Sequence, residues 1–126
     1  LPLADRLNTF YNVYTDAIFN RKWMRIFLFS GLKGVDINRR YMQLVRRRIL
    51  EPILVEARVE FGLPDVPPKD CEVEFVWVMH GGVFYYGVRD LIYESVISTD
   101  KERVIADAIT AFMAGLKIKL NRPDQT

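Results

Sequence analysis

The sequence predicts an all-α fold, a bundle of five to six helices, on the basis of three observations. Apolar residues recur at spacings of three and four along most of the chain, which is the period of an amphipathic helix. Glycine and proline stand at a few points between these stretches, and no alternating apolar–polar run bounded by turn residues occurs. A length of 126 residues fits one domain. We therefore expect a single helical domain over residues 1–126.

The first two helices are predicted from their ends as well as their periodicity. The first begins near Pro2 and ends by Phe19. Asn20 suits the N-cap of the second helix, which spans Arg21–Leu32. Gly31 and Gly34 are expected to end it.

The third helix is the most irregular of the predicted set. Asp36 or Asn38 is its candidate N-cap, and Gly62 closes it. Pro52 falls inside this helix and is expected to kink it, because the proline ring displaces a backbone hydrogen bond. Residues 62–68 form the only loop of any length.

The last two helices complete the bundle. The fourth covers about residues 68–94, and the fifth begins with a predicted capping box from Thr99 to Glu102. The fifth helix ends near Leu120. Beyond Asn121 the tail is polar and is expected to fray.

The fourth helix lacks a polar face. Residues 75–88 carry no formal charge, and His80 is their only imidazole. A helix that is apolar around its circumference must be buried around its circumference, and a second copy of the chain would supply the missing cover. We expect the last two helices of each subunit to form a four-helix dimer interface, in preference to a monomeric bundle. The predicted interface residues are Phe75, Met79, Gly82, Tyr86, Ala108, Phe112 and Gly115.

Composition excludes several function classes. The chain has 18 basic and 16 acidic residues, a net charge of +2 that does not indicate a nucleic-acid-binding surface. Cys71 is the only cysteine, which fits a reducing, cytoplasmic compartment. No stretch is long and apolar enough to span a bilayer, so no membrane partner is expected. The sequence starts at Leu1 rather than methionine, and we expect a fragment of a longer protein.

An arginine cluster in the third helix has two interpretations, a solvated face and a phosphate-binding site. Helical spacing spreads these charges around the helix, which favours the solvated face. The cluster comprises Arg39, Arg40, Arg46, Arg47 and Arg48.

Catalysis and metal binding have little support. Cys71 and His80 stand nine positions apart on one helix, about 13 Å of rise and too far for a thiolate–imidazole pair. His80 has no partner at metal-ligand spacing, although a haem iron needs only one axial histidine. We expect no enzyme activity and no cofactor, with His80 a core residue or the polar group of a pocket.

Aromatic residues at helical spacing could line a ligand cavity or form solid core. Gly81 and Gly82 cost roughly 1 kcal/mol each inside a helix, which favours close helix packing or room for a ligand. The candidate ligand-binding residues are Trp23, Phe27, Tyr41, Leu44, Trp77, His80 and Phe84.

The helix order, the stretch from Trp77 to Arg89 (WVMHGGVFYYGVR) and the closing AFMAGL of residues 111–116 resemble the C-terminal domain of TetR/AcrR-family transcriptional regulators. This resemblance implies a ligand cavity within the first four helices and a dimer interface made by the last two. The family's N-terminal helix-turn-helix head is absent from this sequence, so operator DNA would be bound only through that missing part.

The predicted function is therefore a regulatory domain that binds a small, mostly apolar effector and homodimerises. The alternative is a stand-alone helical ligand carrier or haem-binding protein.

Overall fold

Five helical rods make up the described part of the chain, residues 1–122, in this computed structural model. The all-helical prediction is confirmed for these residues, none of which lies in a strand. The predicted fraying of the tail falls on residues 123–126, outside the described part. The elements in order are α1 (Leu3–Ile18), α2 (Arg21–Leu32), α3 (Asp36–Val45), a π turn (Arg46–Leu50), α4 (Glu51–Glu60), α5 (Asp70–Gly87), a second π turn (Val88–Ile92) and α6 (Lys101–Leu120).

Several helix ends lie where the sequence predicts them. The side-chain oxygen of Asn20 accepts the backbone N–H of Trp23 at 2.9 Å and so caps α2. Gly34 and Gly62 have φ angles of +73° and +68°, a left-handed conformation that glycine adopts without steric cost. These three predicted ends are confirmed, whereas Gly31 lies inside α2, which continues to Leu32.

The predicted capping box of the last helix is wrong. Asp100, not Thr99, is the N-cap of α6, and its Oδ1 accepts the backbone N–H of Arg103 at 2.9 Å. The carbonyl of Thr99 instead accepts the hydroxyl of Tyr86 at 2.8 Å. Thr99 thus takes part in a tertiary hydrogen bond, and the carboxylate of Asp100 caps the helix.

The start of α3 also differs from the prediction, since it has no side-chain cap. Val35 occupies the N-cap position and Asp36 is the first helical residue. The side-chain amide of Asn38 donates to the carbonyl of Phe27 at 2.7 Å, and its oxygen accepts the hydroxyl of Ser30 at 3.0 Å. Asn38 therefore joins α3 to α2 instead of capping α3.

A π turn lies just before Pro52, the residue expected to kink the third predicted helix. The turn Arg46–Leu50 ends two residues before Pro52, which is the second residue of α4. Proline lacks an N–H, and its ring presses on the carbonyl four residues earlier. Both a proline and a π turn are recognised causes of bends in α-helices.

The core lies where α1, α4, α5 and α6 meet, and α6 packs against both α1 and α5. Its most deeply buried side chains are those of Tyr11, Leu50, Leu54, Val73, Val76, Ile105, Ile109 and Leu116. Within residues 1–122, none of the helices combines the length and apolar character needed to cross a membrane.

A buried ion pair fixes the start of α5 against α4. Arg58 Nη2 donates to Glu72 Oε2 at 2.9 Å, and the two side chains are only 9% and 5% exposed. The other oxygen of Glu72 accepts the backbone N–H of Lys69 at 3.0 Å. One carboxylate therefore caps α5 and neutralises a guanidinium of α4.

Within a single chain, α5 is not buried around its whole circumference. Val78 is 76% exposed and Tyr85 is 50% exposed, and Gly82 lies exposed between them. Gly81 is exposed at the edge of this face, on the side of Trp77 and Phe84. An added Cβ on either glycine would meet no atom within 4 Å. This apolar face is covered by nothing in the described chain.

Candidate functional site

A partly enclosed cavity of about 230 Å³ lies between α1, α2, α3 and α5. Its wall is mainly aromatic and carries no formally charged side chain. The lining residues are Tyr14, Ile18, Trp23, Phe27, Tyr41, Met42, Trp77, His80, Gly81 and Phe84.

The aromatic wall is organised by α2. Trp23 and Phe27 are four residues apart on one helix face, and their rings stack with centroids 5.1 Å apart and planes 7° apart. Tyr41 meets both rings edge-on, at 6.0 and 5.4 Å. Phe84 of α5 meets Phe27 at 6.3 Å. Flat faces and ring edges of this kind favour a planar, apolar occupant.

His80 is the main polar group of the cavity. Its Nδ1 lies 2.9 Å from the hydroxyl of Tyr11, which is fully buried in α1. Burial lowers the pKa of His80 to about 4, because a charged imidazolium is poorly solvated away from water. The imidazole is therefore neutral at physiological pH.

A second polar point is a pair of tyrosine hydroxyls. The hydroxyls of Tyr14 and Tyr41 lie 2.6 Å apart and join α1 to α3 across the cavity. Burial, followed by the hydrogen bond to Tyr41, raises the pKa of Tyr14 well above its ordinary value. The Tyr14 hydroxyl therefore stays protonated and neutral.

Six of the seven predicted ligand-binding residues line this one cavity. The exception is Leu44, which is 39% exposed and does not contribute to the wall. Tyr41 and Val45, four residues apart, form the inward stripe of α3, and Leu44 falls at the edge of that stripe. Met42 lines the cavity in its place.

Sequence reasoning missed the contribution of α1. Tyr14 and Ile18 line the cavity from this helix, and their spacing of four residues does mark them as one face. Nothing in the sequence shows that this face opposes α5. The pairing depends on tertiary contacts such as the one from Tyr11 to His80.

Three of the predicted dimer residues lie in the chain's own core. Met79, Tyr86 and Phe112 are all less than a tenth exposed in the single chain, so these side chains leave little surface for a twin subunit to cover. The apolar residues of α5 surround the whole helix, and periodicity could not show which stripe faces inward.

The other four predicted dimer residues are not fully buried in the single chain. Phe75 packs against the Phe112 ring at a centroid distance of 5.7 Å. A Cβ added to Gly115 would lie 3.0 Å from the Phe75 ring, so Gly115 permits close approach of α6 to α5. Ala108 is half-buried and Gly82 is exposed.

The arginine cluster lies on partly or fully exposed surface. Arg39 and Arg40 both pair with Asp36. Arg46 bridges Glu51 and Asp70, at 2.9 Å to each. Acidic partners for three of the five arginines agree with the solvated-face interpretation.

The cavity offers few polar groups to an occupant. No group of three or more histidine, cysteine, aspartate or glutamate side chains is placed to hold a metal ion within residues 1–122. The cavity offers a neutral imidazole, two tyrosine hydroxyls and an aromatic wall. Comparison of the chain with models of known families, with curated proteins and with solved structures finds no match.

Proposed function

We propose that this chain is the effector-binding and dimerisation domain of a one-component transcriptional regulator of the TetR/AcrR type. The observation that carries the proposal is the aromatic cavity between α1, α2, α3 and α5, with His80 at its wall. Such a cavity, apolar and holding a few polar groups, has the general form of a small-molecule site. The effector is a small, mostly apolar molecule.

The exposed face of α5 supports homodimerisation. Val78, Gly82 and Tyr85 follow one another along this face, and helical spacing places Val78 beside Phe75, which touches α6. The neighbouring surface of α6 carries small residues, Ala111 and Ala114, that are also exposed. Small residues allow helix backbones to approach closely, so a second copy of α5 and α6 fits here. The proposed interface is centred on Val78, Gly82 and Tyr85.

The effector would act through α1. This helix contributes Tyr14 and Ile18 to the cavity and binds His80 through Tyr11. An effector that prefers one position of α1 shifts the population of subunit arrangements in proportion to that preference. DNA binding would belong to a head outside this sequence.

The size of the cavity favours a small effector over haem. A cavity of about 150 Å³ binds benzene, and this one is about 230 Å³. Two fused rings are a reasonable match to that volume, whereas a porphyrin of four pyrrole rings is far larger. A stand-alone carrier of small ligands would use the same cavity but would not need to dimerise. The regulator and carrier functions therefore predict different oligomeric states.

Tryptophan fluorescence can report on binding in the cavity. Both tryptophans of the chain, Trp23 and Trp77, line it. We expect naphthalene, titrated below its solubility limit, to change the intrinsic tryptophan fluorescence saturably. Absence of a saturable change would overturn the proposal.

Two adjacent glycines provide the matched variants. Gly81 lines the cavity and Gly82 does not, while both have open space above them. Gly81→Leu is expected to weaken naphthalene binding by about tenfold or more, because the new side chain occupies ligand volume. Gly82→Leu should leave binding unchanged. Equal effects of the two substitutions would place the naphthalene elsewhere.

A further inference from the structure

The hydrogen bond between Tyr11 and His80 fixes the tautomer of the imidazole. Tyr11 is fully buried, and within residues 1–122 its hydroxyl has only His80 Nδ1 as a partner. If Nδ1 were the donor, the hydrogen of the Tyr11 hydroxyl would be buried without an acceptor, which is unfavourable. The hydroxyl of Tyr11 therefore donates to Nδ1.

The tautomer determines what His80 presents to the cavity. A neutral imidazole carries one N–H, and because Nδ1 accepts a hydrogen bond, that hydrogen is on Nε2. No residue in the described part of the chain hydrogen-bonds Nε2. The depressed pKa of His80, about 4, keeps the ring in this neutral form. His80 therefore offers a hydrogen-bond donor to an occupant.

The tyrosine pair offers a second donor. Tyr14 and Tyr41 share one hydrogen bond, which uses the hydrogen of one hydroxyl and leaves the other. No acceptor for this remaining hydrogen lies among residues 1–122. Both residues line the cavity, so this hydroxyl can add a second donor to the N–H of His80.

Charge on the ligand would be disfavoured. The cavity wall contains no lysine, arginine, aspartate or glutamate, and a charged group taken from water without a partner is strongly unfavourable. The parallel rings of Trp23 and Phe27 add a preference for a flat molecule.

We propose that the cavity selects a neutral, planar, two-ring aromatic molecule whose polar atom is a hydrogen-bond acceptor, such as a ring nitrogen or a carbonyl. This inference rests on the proposed effector-binding function and adds the chemical class of the effector. His80 and the Tyr14–Tyr41 pair are the specificity-determining residues.

A set of similar-sized two-ring ligands tests the inference. Quinoline has the shape of naphthalene with one ring nitrogen as acceptor, indole carries a donor, and 2-naphthoate carries a charge. At pH 7.5, tryptophan fluorescence should show quinoline binding about three- to tenfold more tightly than naphthalene, the gain expected from one neutral hydrogen bond. Indole and 2-naphthoate should bind more weakly than quinoline.

The tautomer is measurable without any ligand. His80 is the only histidine of the chain, so a ¹⁵N-labelled sample gives a single imidazole spin system. We expect the Nε2–H form, with the Nε2 resonance shifting when quinoline is added. A free protein in the Nδ1–H form would overturn the inference directly.

Tyr11→Phe removes the donor to Nδ1 while preserving the shape of the side chain. The tautomer should become mixed, and the advantage of quinoline over naphthalene should become smaller, with the Tyr14–Tyr41 donor still present. A purely structural role for Tyr11 would leave both readouts unchanged. If this variant does not fold, Tyr11→Phe combined with His80→Phe removes both partners of the buried bond. In that double variant the advantage of quinoline over naphthalene should be smaller than in the unmodified protein, and an unchanged advantage would overturn the role of His80.

The outcomes separate the two proposals. Equal binding of naphthalene and quinoline by the unmodified protein overturns the acceptor preference and leaves the effector cavity standing. Tighter binding of indole than of quinoline likewise overturns the acceptor preference but not the effector cavity. Binding of none of the four compounds overturns the proposed function and this inference with it.

Discussion

His80 is held neutral by its surroundings, because burial beside Tyr11 withdraws the imidazole from water and lowers its pKa to about 4. The same burial makes His80 a source of pH-dependent stability. An unfolded chain exposes the imidazole, whose pKa then returns to about 6.5. The two states consequently bind different numbers of protons between these two pKa values.

We expect the free energy of unfolding to fall as the pH is lowered from 7 toward 4. Below about pH 6.5 the unfolded state takes up a proton that the folded state does not, and the full shift corresponds to about 3 kcal/mol. Urea denaturation at a series of pH values measures this slope. His80→Asn, whose side-chain oxygen can still accept the hydroxyl of Tyr11, is the control. It should show a smaller loss over the same range, and an unchanged slope would contradict the assignment to His80.

Gly87 differs from the other glycines of α5. A Cβ added there would lie 2.5 Å from the Phe19 ring, and this ring also stacks on Tyr86 at 6.3 Å. Gly81, by contrast, has open space. The close approach of the loop before α2 to the end of α5 therefore requires glycine at position 87.

Gly87→Ala should destabilise the fold by about 1–3 kcal/mol, the usual effect of overpacking. Gly81→Ala should instead stabilise it by up to about 1 kcal/mol, because alanine is the better helix former and meets no neighbour. Thermal or urea unfolding of the two variants provides the comparison. Stabilisation by both substitutions would show that Phe19 moves aside without cost.

At the scale of elements, the ion pair between Arg58 and Glu72 sets the position of α5 on α4. Both side chains are buried, so each charge depends on the other for compensation. Glu72 also accepts the backbone N–H of Lys69 at the start of α5. The pair therefore links the end of the 61–69 connection to the core.

Glu72→Gln should lower the free energy of unfolding by about 3 kcal/mol, because it leaves the guanidinium buried without a counter-charge. The glutamine oxygen still accepts the N–H of Lys69, so the helix cap is retained. Adding Arg58→Met to Glu72→Gln should recover part of this loss. Denaturant unfolding of the two single variants and the double variant gives the coupling between the residues. If the changes in the free energy of unfolding of the two single variants simply add up in the double variant, the interaction between Arg58 and Glu72 contributes nothing to stability.

At the scale of the whole molecule, the exposed face of α5 makes the proposed dimer testable. Val78 and Tyr85 are large apolar side chains exposed to solvent, and Gly82 between them offers a flat surface. A twin helix laid on this face would cover all three.

Sedimentation at micromolar concentration should give twice the monomer mass of 14.7 kDa. Gly82→Leu should shift the equilibrium to monomer, because the added side chain projects into the space that the twin helix occupies. Gly81→Leu, directed at the cavity, is the matched control and should remain dimeric. A monomeric wild-type protein would remove the dimer from the proposal and favour the carrier reading.

The sequence by itself determined the number, type and approximate limits of the helices. Apolar spacing of three and four residues, together with Asn20, Gly34 and Gly62, is local information that a short segment carries whatever its surroundings. Trp77, His80 and Phe84 stand three and four residues apart on α5, and all three line the cavity.

Only the tertiary structure decided which stripe of α5 faces the core. This helix is apolar on every side, so no polar face indicated its orientation, and Met79 and Tyr86 turned inward where Val78 and Tyr85 remained exposed. The bond from Tyr11 to His80 joins residues 69 positions apart, beyond the reach of any local pattern. Helix identity follows from neighbouring residues, whereas helix rotation and the chemistry of the cavity follow from packing between distant segments.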